Sequence, residues 1–308
     1  MKRQNKNEVA LTQESSIPKV DGLRKKRSKP LPYFLILPTM LLLSAFTFFP
    51  FLRSIYLAFF VTDPLGNPGT FVGLGNFVRI LTSDAFGRTM IATLKFAAMV
   101  GCGTFFCAMI LGYLCMDKVR GSKLYQTMFA LPIALASVPV ASLALYILGR
   151  NGLLNSMLGT TTAWLSAEST ALIACACVSV WANIGSSFIF LLVGFRNVPD
   201  DLIESATIDG AGRIRKFFSI ILPVASPQVF FVVFLNIISS FKAFAMIKLL
   251  VGTGPNESTN VLVYALYSNA FVRNRFETAC VYSIILCALI FVVTRIQLLL
   301  EKRVVHYN

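Results

Sequence analysis

The sequence is poor in the residues on which most catalysis depends. Its 308 residues include a single histidine, His306, and only 14 acidic side chains. One histidine near the end of the chain excludes histidine-based triads and most metal centres. The seven cysteines lie inside apolar stretches without CxxC spacing, which is typical of small buried hydrophobes. We therefore expect no catalytic residue, no metal site and no enzyme activity.

Two further absences limit the possible partners. The sequence contains no G-x-x-x-x-G-K-[ST] phosphate loop, so the chain cannot hydrolyse ATP by itself. The formal net charge is +14, but the positive charges cluster between apolar stretches and not on one folded face, which argues against nucleic acid.

Long apolar stretches are what the sequence does have. Hydrophobic residues make up 56% of the chain and charged residues 14%, which is typical of a membrane protein. About 20 helical residues cross a hydrocarbon core, and only helices satisfy the backbone there. We predict an all-α, polytopic fold with kinks at prolines Pro38, Pro50, Pro132 and Pro139. The six predicted spans are 33–60, 90–116, 124–149, 170–195, 223–251 and 278–300.

The distribution of lysine and arginine predicts the orientation. These residues are concentrated in the N-terminal tail, in the second and fourth connections and at the C-terminal end. The positive-inside rule then makes both termini cytoplasmic. We divide the chain into a cytoplasmic polybasic tail, 1–32, and a transmembrane domain, 33–308. The tail fixes topology, or it also recruits acidic lipid or a partner. The stretch "TDPLGNPGTFVGLGNF" predicts a structured external loop that begins with turns.

The cytoplasmic connection 196–223 contains an unusual polar segment, "IESATIDGAGRIRKFFSIILP". Asp201 and Glu204 have the spacing of a capping box and predict a short helix from Asp201 to Asp209, here called the loop helix. Gly210 is expected to end it. After that turn, four apolar residues have the spacing of one helical face: Ile214, Phe217, Phe218 and Ile221. This segment either rests on lipid as an interfacial helix or docks on a partner.

Part of this segment resembles a known signature. Glu204-Ser205-Ala206, Gly210 and Ile221-Leu222-Pro223 closely resemble the EAA motif of permease subunits in binding-protein-dependent ABC importers, with Ser205 in place of an alanine. The stretches "RGSKLYQTMFALP", "GRNGLLNSML" and "GTGPNEST" look like landmarks of the carbohydrate-importing branch. Within it, "IDGAGRIRKFF" is most similar to the A-type permeases of glycerol-3-phosphate importers.

The resemblance implies a type I importer permease in the bacterial cytoplasmic membrane, which translocates a sugar or glycerol 3-phosphate. The implied partners are a second homologous permease, a cytoplasmic ATPase dimer and an extracytoplasmic solute-binding protein. This chain would hold no cofactor, since ATP and Mg would be bound by the ATPase subunits. The implied ATPase-coupling residues are Asp201, Glu204, Ser205, Ala206, Asp209 and Gly210.

Polar residues within the spans are candidates for contacts with a solute. They are Trp181, Asn183, Asn236, Ser239, Ser240 and Lys242. Each also has a purely structural interpretation, because serine and asparagine commonly join helices inside a membrane. A secondary carrier and a non-transporting membrane scaffold remain the alternatives. A proton-driven carrier usually needs a carboxylate at membrane depth, whereas Glu277 lies at the boundary of a predicted span.

Overall fold

The computed structural model describes residues 31–117 and 122–304. The predicted polybasic tail, 1–32, therefore falls almost entirely outside the described residues. Contacts between Cα atoms divide the described chain into two compact units, one that ends at Phe51 and one that begins at Leu52. Each unit is described separately.

The first unit is a helix with one wide turn. It runs from Leu31–Leu43 through the π-helical turn Ser44–Phe48 and resumes as Phe49–Leu57, which leads into the second unit. In the wide turn the Phe49 N–H donates to the Ser44 carbonyl, five residues back. Pro50 has no N–H to continue the regular hydrogen-bond ladder. The predicted irregularity at Pro50 is therefore present as a π turn.

A β-hairpin follows the first helix and gives the loop predicted in "TDPLGNPGTFVGLGNF" its structure. Strands β1 (Phe60–Thr62) and β2 (Pro68–Phe71) are antiparallel, and the short helix Gly75–Leu81 comes next. The Asp63 carboxylate accepts hydrogen bonds from the side chain and backbone of Asn67. These bonds, the side-chain bond first, hold the pKa of Asp63 below its usual value.

Twelve further α-helices, two 3₁₀ turns and two π turns follow the short helix Gly75–Leu81 among the described residues. The α-helices after the hairpin are Asp84–Leu114, Ser122–Ala130, Ser137–Leu148, Leu153–Leu158, Glu168–Arg196, Asp200–Ile208, Arg213–Lys216, Leu222–Val224, Ser226–Phe241, Ala245–Leu250, Leu262–Tyr267 and Phe276–Val304. The 3₁₀ turns are Leu131–Ala134 and Pro255–Glu257, and two further π turns are Phe217–Ile221 and Ser268–Val272.

Six stretches of the described residues are long and apolar enough to cross a membrane. They are called the first to sixth spans here: Phe34–Leu57, Asp84–Leu114, Ser137–Leu158, Glu168–Arg196, Ser226–Leu250 and Phe276–Glu301. The predicted number is confirmed. The largest shift is in the third span, which was predicted at 124–149, because the segment before Ser137 is a separate helix and a 3₁₀ turn.

Close packing joins the second and fourth spans. A Cβ atom added at Gly103 would lie 2.8 Å from a methyl carbon of Val180, and one added at Gly112 would lie 3.1 Å from the ring of Phe195. Only glycine leaves room for such an approach, which is a common way to pack membrane helices. The buried side chains around this contact include Phe96, Cys175, Phe188 and Leu191. These two spans form the centre of the second unit.

Glu277 at the start of the sixth span connects that span to the hairpin. Its carboxylate accepts a hydrogen bond of 2.6 Å from the Thr62 hydroxyl and lies 3.8 Å from the Arg79 guanidinium. Arg79 also donates to Asn76, whose amide donates to the carbonyls of Ala58 and Phe60. The carboxylate thus has partners that hold it in place at the start of the sixth span.

Candidate functional site

The fifth span is interrupted near its middle. Helix Ser226–Phe241 ends at Lys242, and the next helix begins only at Ala245. The Lys242 N–H donates to Ser239, and the Lys242 carbonyl accepts from the Phe244 N–H at 2.8 Å. The prediction of one continuous helix over 223–251 is therefore wrong. Non-helical backbone is tolerated at membrane depth where it lines a cavity that can hold water.

A second interruption precedes the third span. The chain passes from the 3₁₀ turn Leu131–Ala134 through extended backbone at Leu135 and Ala136 before helix Ser137–Leu148 begins. Pro132 lies in the 3₁₀ turn, as expected for a kink. The kink predicted at Pro139 is wrong, because this proline occupies the first turn of a helix, where its missing N–H breaks no hydrogen bond.

Both interruptions line one cleft of about 430 Å³. Its walls come from the 3₁₀ turn, from the fourth span and from the break in the fifth span. Three of the predicted solute-contact residues line it: Asn183, Ser239 and Lys242. This volume is in the range of sites for small molecules, and the lining offers one ammonium group, one amide and several hydroxyls.

Lys242 is the cation of this cleft. Its side chain is exposed, and within the described ranges no carboxylate forms an ion pair with it. An intramembrane charge without a counter-ion is costly unless water or a ligand solvates it. The Asn183 amide donates to the Ser179 carbonyl at 2.7 Å, which holds this side chain beside the cleft.

The other three predicted solute-contact residues lie elsewhere. Trp181 lines a separate, mostly apolar cavity of about 650 Å³ with Ile173 and Ile147. Asn236 is buried and accepts a hydrogen bond of 2.8 Å from the Ser187 hydroxyl, so it joins the fourth and fifth spans. Ser240 is buried too, and its hydroxyl donates to the Ile237 carbonyl. Asn236 and Ser240 therefore belong to helix packing, and neither is part of the cleft lining.

Sequence reasoning missed three hydroxyls of the cleft, those of Ser137, Ser179 and Ser186. The signal was present for two of them. Ser179, Asn183 and Ser186 have the i, i+4, i+7 spacing of one helical face. Ser137 carried no such signal, because it reaches the cleft only through the interruption before the third span.

The loop helix is the second candidate site, and it begins differently from its prediction. It spans Asp200–Ile208, with Pro199 as the N-cap residue and no side-chain cap hydrogen bond. The predicted capping box of Asp201 and Glu204 is wrong, because Asp201 is already inside the first turn. Acidic side chains there still favour the helix, since they face its positive end.

The end of the loop helix matches its prediction closely. Gly210 has φ +76°, in the left-handed region. The Ala211 N–H donates to the Ala206 carbonyl at 2.9 Å, and the Gly210 N–H donates to the Thr207 carbonyl at 3.1 Å. This pair of bonds is the Schellman arrangement, which closes a helix by satisfying its last carbonyls.

The residues named as ATPase-coupling by resemblance lie on this helix and its end. Ala206 is buried, whereas Asp201, Glu204, Ser205, Asp209 and Gly210 are exposed. Beside them, Ile208 is 86% exposed. The loop helix therefore presents carboxylates and the large apolar side chains of Leu202 and Ile208 on its outer surface. Such a mixed surface suits docking on another protein.

The segment after Gly210 is not uniformly amphipathic. Phe217 and Ile221 are buried, whereas Ile214 and Phe218 are exposed. The four residues were predicted to share one face. In the structure only Phe217 and Ile221 pack into the core, and the ring of Phe217 lies 5.6 Å from that of Phe195.

Three further hydrogen bonds hold the loop in place, two to the end of the second span and one within the loop itself. The Arg196 guanidinium donates to the carbonyls of Cys115 and Met116, at the end of the second span. The Lys216 ammonium donates to the Thr207 hydroxyl at 3.1 Å, which ties the segment beyond the turn back to the loop helix. These bonds anchor the loop at Arg196 and link the loop helix to the segment beyond the turn through Lys216.

Comparisons with known proteins agree with this architecture. Residues 105–306 match the family described as "Binding-protein-dependent transport system inner membrane component". The sn-glycerol-3-phosphate transport system permease protein UgpA of Yersinia pestis bv. Antiqua (strain Antiqua) is 32% identical over 283 residues, which covers 90% of this chain and 96% of the relative. UgpA of Agrobacterium fabrum (strain C58 / ATCC 33970) is 30% identical over 294 residues, which covers 91% and 98%.

One solved structure with a similar fold is that of a bacterial alginate ABC transporter in complex with alginate pentasaccharide-bound periplasmic protein. One of its chains aligns with a TM-score of 0.80 at 22% identity, which covers 90% of this chain and 96% of that one. At this identity the likeness concerns the fold alone.

Proposed function

The chain belongs to the family of inner membrane components of binding-protein-dependent transport systems, and we propose from this that its polar cleft carries a sugar or glycerol 3-phosphate across the membrane. Membership in the family makes it the permease of an ABC importer and a multi-pass protein of the cytoplasmic membrane, not itself an enzyme.

The observation that carries this proposal is the pair of interruptions around one cleft. Residues of the 3₁₀ turn before the third span and of the break in the fifth span both line it. Transporters build solute sites from discontinuous helices, because the freed backbone groups and the cavity between them can hold a polar molecule. Asn183, Ser239 and Lys242 supply the polar side chains.

The charge of the cleft favours an anionic or polyhydroxylated solute. Lys242 offers an ammonium without a carboxylate partner among the described residues, and the hydroxyls suit a polyol. The relatives named above are permeases for sn-glycerol 3-phosphate, and the structural neighbour binds to a periplasmic protein loaded with alginate pentasaccharide. These names support a phosphorylated polyol or an acidic sugar.

The remaining parts of the importer are proposed on the same basis. An extracytoplasmic binding protein delivers the solute, a second homologous permease completes the pathway, and a cytoplasmic ATPase dimer binds ATP and Mg. Both termini and the loop 196–223 are cytoplasmic. The exposed side chains of the loop helix then dock in a cleft of the ATPase, and closure of the ATPase pair moves the spans.

The test is solute-stimulated ATP hydrolysis and uptake by the reconstituted complex. The panel contains sn-glycerol 3-phosphate, a glycerophosphodiester and neutral oligosaccharides, each with the binding protein present. We expect at least one member of the panel to stimulate hydrolysis and to accumulate inside proteoliposomes. Stable assembly without hydrolysis or uptake for any of them would favour the scaffold alternative, and uptake driven by a proton gradient without ATP would favour the secondary carrier.

Lys242→Met tests the cleft itself. We expect uptake to fall about tenfold, the effect of losing a charge-assisted hydrogen bond of about 1.5 kcal/mol, while the complex still assembles. Lys95→Met is the matched control, because Lys95 is also an exposed lysine within a span but lines a different cavity. Normal uptake by Lys242→Met would assign Lys242 a structural role.

A further inference from the structure

A second lysine of the fifth span lies on a group of aromatic rings next to the cleft. The Lys248 ammonium lies 4.3 Å from the centre of the Tyr267 ring and 5.5 Å from that of Phe244. Both distances are in the range of a cation–π contact. The Phe244 and Tyr267 rings are themselves 4.9 Å apart, so the ammonium contacts a continuous aromatic surface.

The aromatic surface extends along the helix that precedes the sixth span. Tyr264, Tyr267 and Phe271 are spaced i, i+3, i+7 and follow one another at ring distances of 6.1 and 5.4 Å. Interfacial tyrosines are common at membrane boundaries, but such residues need not touch one another. Here successive rings of the three contact one another, and Phe244, which also lines the cleft, packs against Tyr264 and Tyr267.

Lys248 shares its lack of a counter-ion with Lys242. Its side chain is exposed, and no carboxylate of residues 31–117 and 122–304 forms an ion pair with it. The rings stabilise the ammonium but do not neutralise its charge, so the exposed ammonium can still pair with an anion from outside the described chain. A charge of this kind at a span is a functional-site indicator.

We propose that Lys248, with Phe244, Tyr264 and Tyr267, is an outer anion-binding station through which the solute reaches the cleft. The ligand is an organic anion with hydroxyl groups, such as a phosphomonoester of a polyol. Its anionic group pairs with the Lys248 ammonium while its C–H edges lie on the rings, and it then passes Phe244 to reach Lys242. This inference rests on the proposed function, since it assigns an entry step to the same pathway.

The test uses the complete importer with its binding protein in proteoliposomes, with sn-glycerol 3-phosphate and neutral raffinose as probes. For Lys248→Met we expect uptake of sn-glycerol 3-phosphate to fall about tenfold at saturating binding protein, as for one lost charge-assisted contact. Lys248→Arg keeps the charge and the stacking and stays within about twofold of the unsubstituted chain.

Arg295→Met is the matched control. Arg295 is another exposed span cation, and its guanidinium lies 6.0 Å from the Phe291 ring. We expect this variant to take up sn-glycerol 3-phosphate normally. Assembly of each variant is checked by co-purification of all subunits.

The outcomes separate this inference from the proposed function. Normal uptake of the anion by Lys248→Met overturns the station and leaves the permease function intact, as does an importer that accepts raffinose but not sn-glycerol 3-phosphate. Equal losses in Lys248→Met and Arg295→Met, or in Lys248→Met and Lys248→Arg, also overturn it, because charge at Lys248 would then not be the cause. Failure of every probe, with no stimulated ATP hydrolysis, removes the proposed function and the station together.

Discussion

The loop helix and the cleft differ in whether their polar groups have partners within the chain. At the loop helix, the last carbonyls are closed by the bonds from Gly210 and Ala211, and Lys216 ties the following segment to Thr207. At the cleft, the helices stop, and Lys242 is left without a carboxylate partner among the described residues. The loop helix thus pairs its terminal carbonyls within the chain, whereas the cleft leaves the Lys242 ammonium available to water or a ligand.

This difference matches the role that we propose for each region. A helix that couples the motions of two proteins has to keep its shape, and the hydrogen bonds at the C-terminal end of the loop helix serve that purpose. A solute site needs groups whose partner is exchanged between water and ligand. Disrupting the hydrogen bonds that end the loop helix should therefore lower solute-stimulated ATP hydrolysis. Altering the cleft should change solute uptake or selectivity.

Gly210→Val should have the largest effect. A β-branched residue at φ +76° is strained by about 1–3 kcal/mol, and the added Cβ meets no atom within 4 Å, so the backbone alone is responsible. We expect solute-stimulated ATP hydrolysis to fall at least about tenfold, with the spans still inserted.

The control for this variant is Gly210→Asn, because asparagine adopts the left-handed region more readily than other residues. It should retain most of the stimulated hydrolysis in nanodiscs. If the complex with Gly210→Val keeps both its ATPase subunits and its solute-stimulated hydrolysis, the result would favour the alternative that this segment is an interfacial helix that rests on lipid.

Asn236→Ala should lower stability without changing the solute. The substitution removes the acceptor of the buried Ser187 hydroxyl and leaves a small cavity, at a cost of about 1–3 kcal/mol. Thermal unfolding of the purified complex in detergent measures the loss. Solute selectivity should stay the same, and a selectivity change with unaltered unfolding would move Asn236 into the pathway.

Arg196→Met should loosen the loop where it meets the second span. The guanidinium bonds to the carbonyls of Cys115 and Met116 are partly exposed, so we expect a loss of about 1 kcal/mol. Hydrogen exchange at residues 111–116 should become faster, whereas exchange in the sixth span should not. Lys216→Met provides the comparison within the loop, since it breaks the bond to Thr207 only.

Asn183→Ala should have the smallest effect. Unlike Asn236→Ala, it should change uptake and not stability. Asn183 lines the cleft, so we expect uptake to fall by about two- to fivefold, the range of one neutral hydrogen bond. The unfolding temperature should not change. A lower unfolding temperature with normal uptake would contradict the distinction between lining and packing residues.

The sequence predicted the regular parts of the molecule better than its interruptions. Hydropathy located six spans because the hydrocarbon core sets their length, and Gly210 was identified because its backbone requirement is local. The breaks at Ala136 and at Lys242 to Phe244 were not predicted, because the cleft that they line forms only when distant segments meet.

The capping box failed for a related reason. Pro199 fixes where the loop helix begins, one residue before the predicted start, and the spacing of Asp201 and Glu204 alone does not reveal this. Trp181, Asn236 and Ser240 were chosen for their polarity within a span. Polarity does not distinguish a side chain that lines a cleft from one that joins two helices.

The glycine contacts between the second and fourth spans limit which parts of the molecule can move. Gly103 and Gly112 are nine residues apart, about 13 Å along a helix, and each meets a side chain of the fourth span. Because these two contacts lie at different levels along the helices, we expect the second and fourth spans to move together as one rigid pair. We therefore expect the displacement of a transport cycle to involve hinges at the two interruptions that line the cleft. A cross-link between the second and fourth spans should leave transport turnover unchanged. A cross-link between the interruption at Leu135 and Ala136 and the break at Lys242 to Phe244 should stop it.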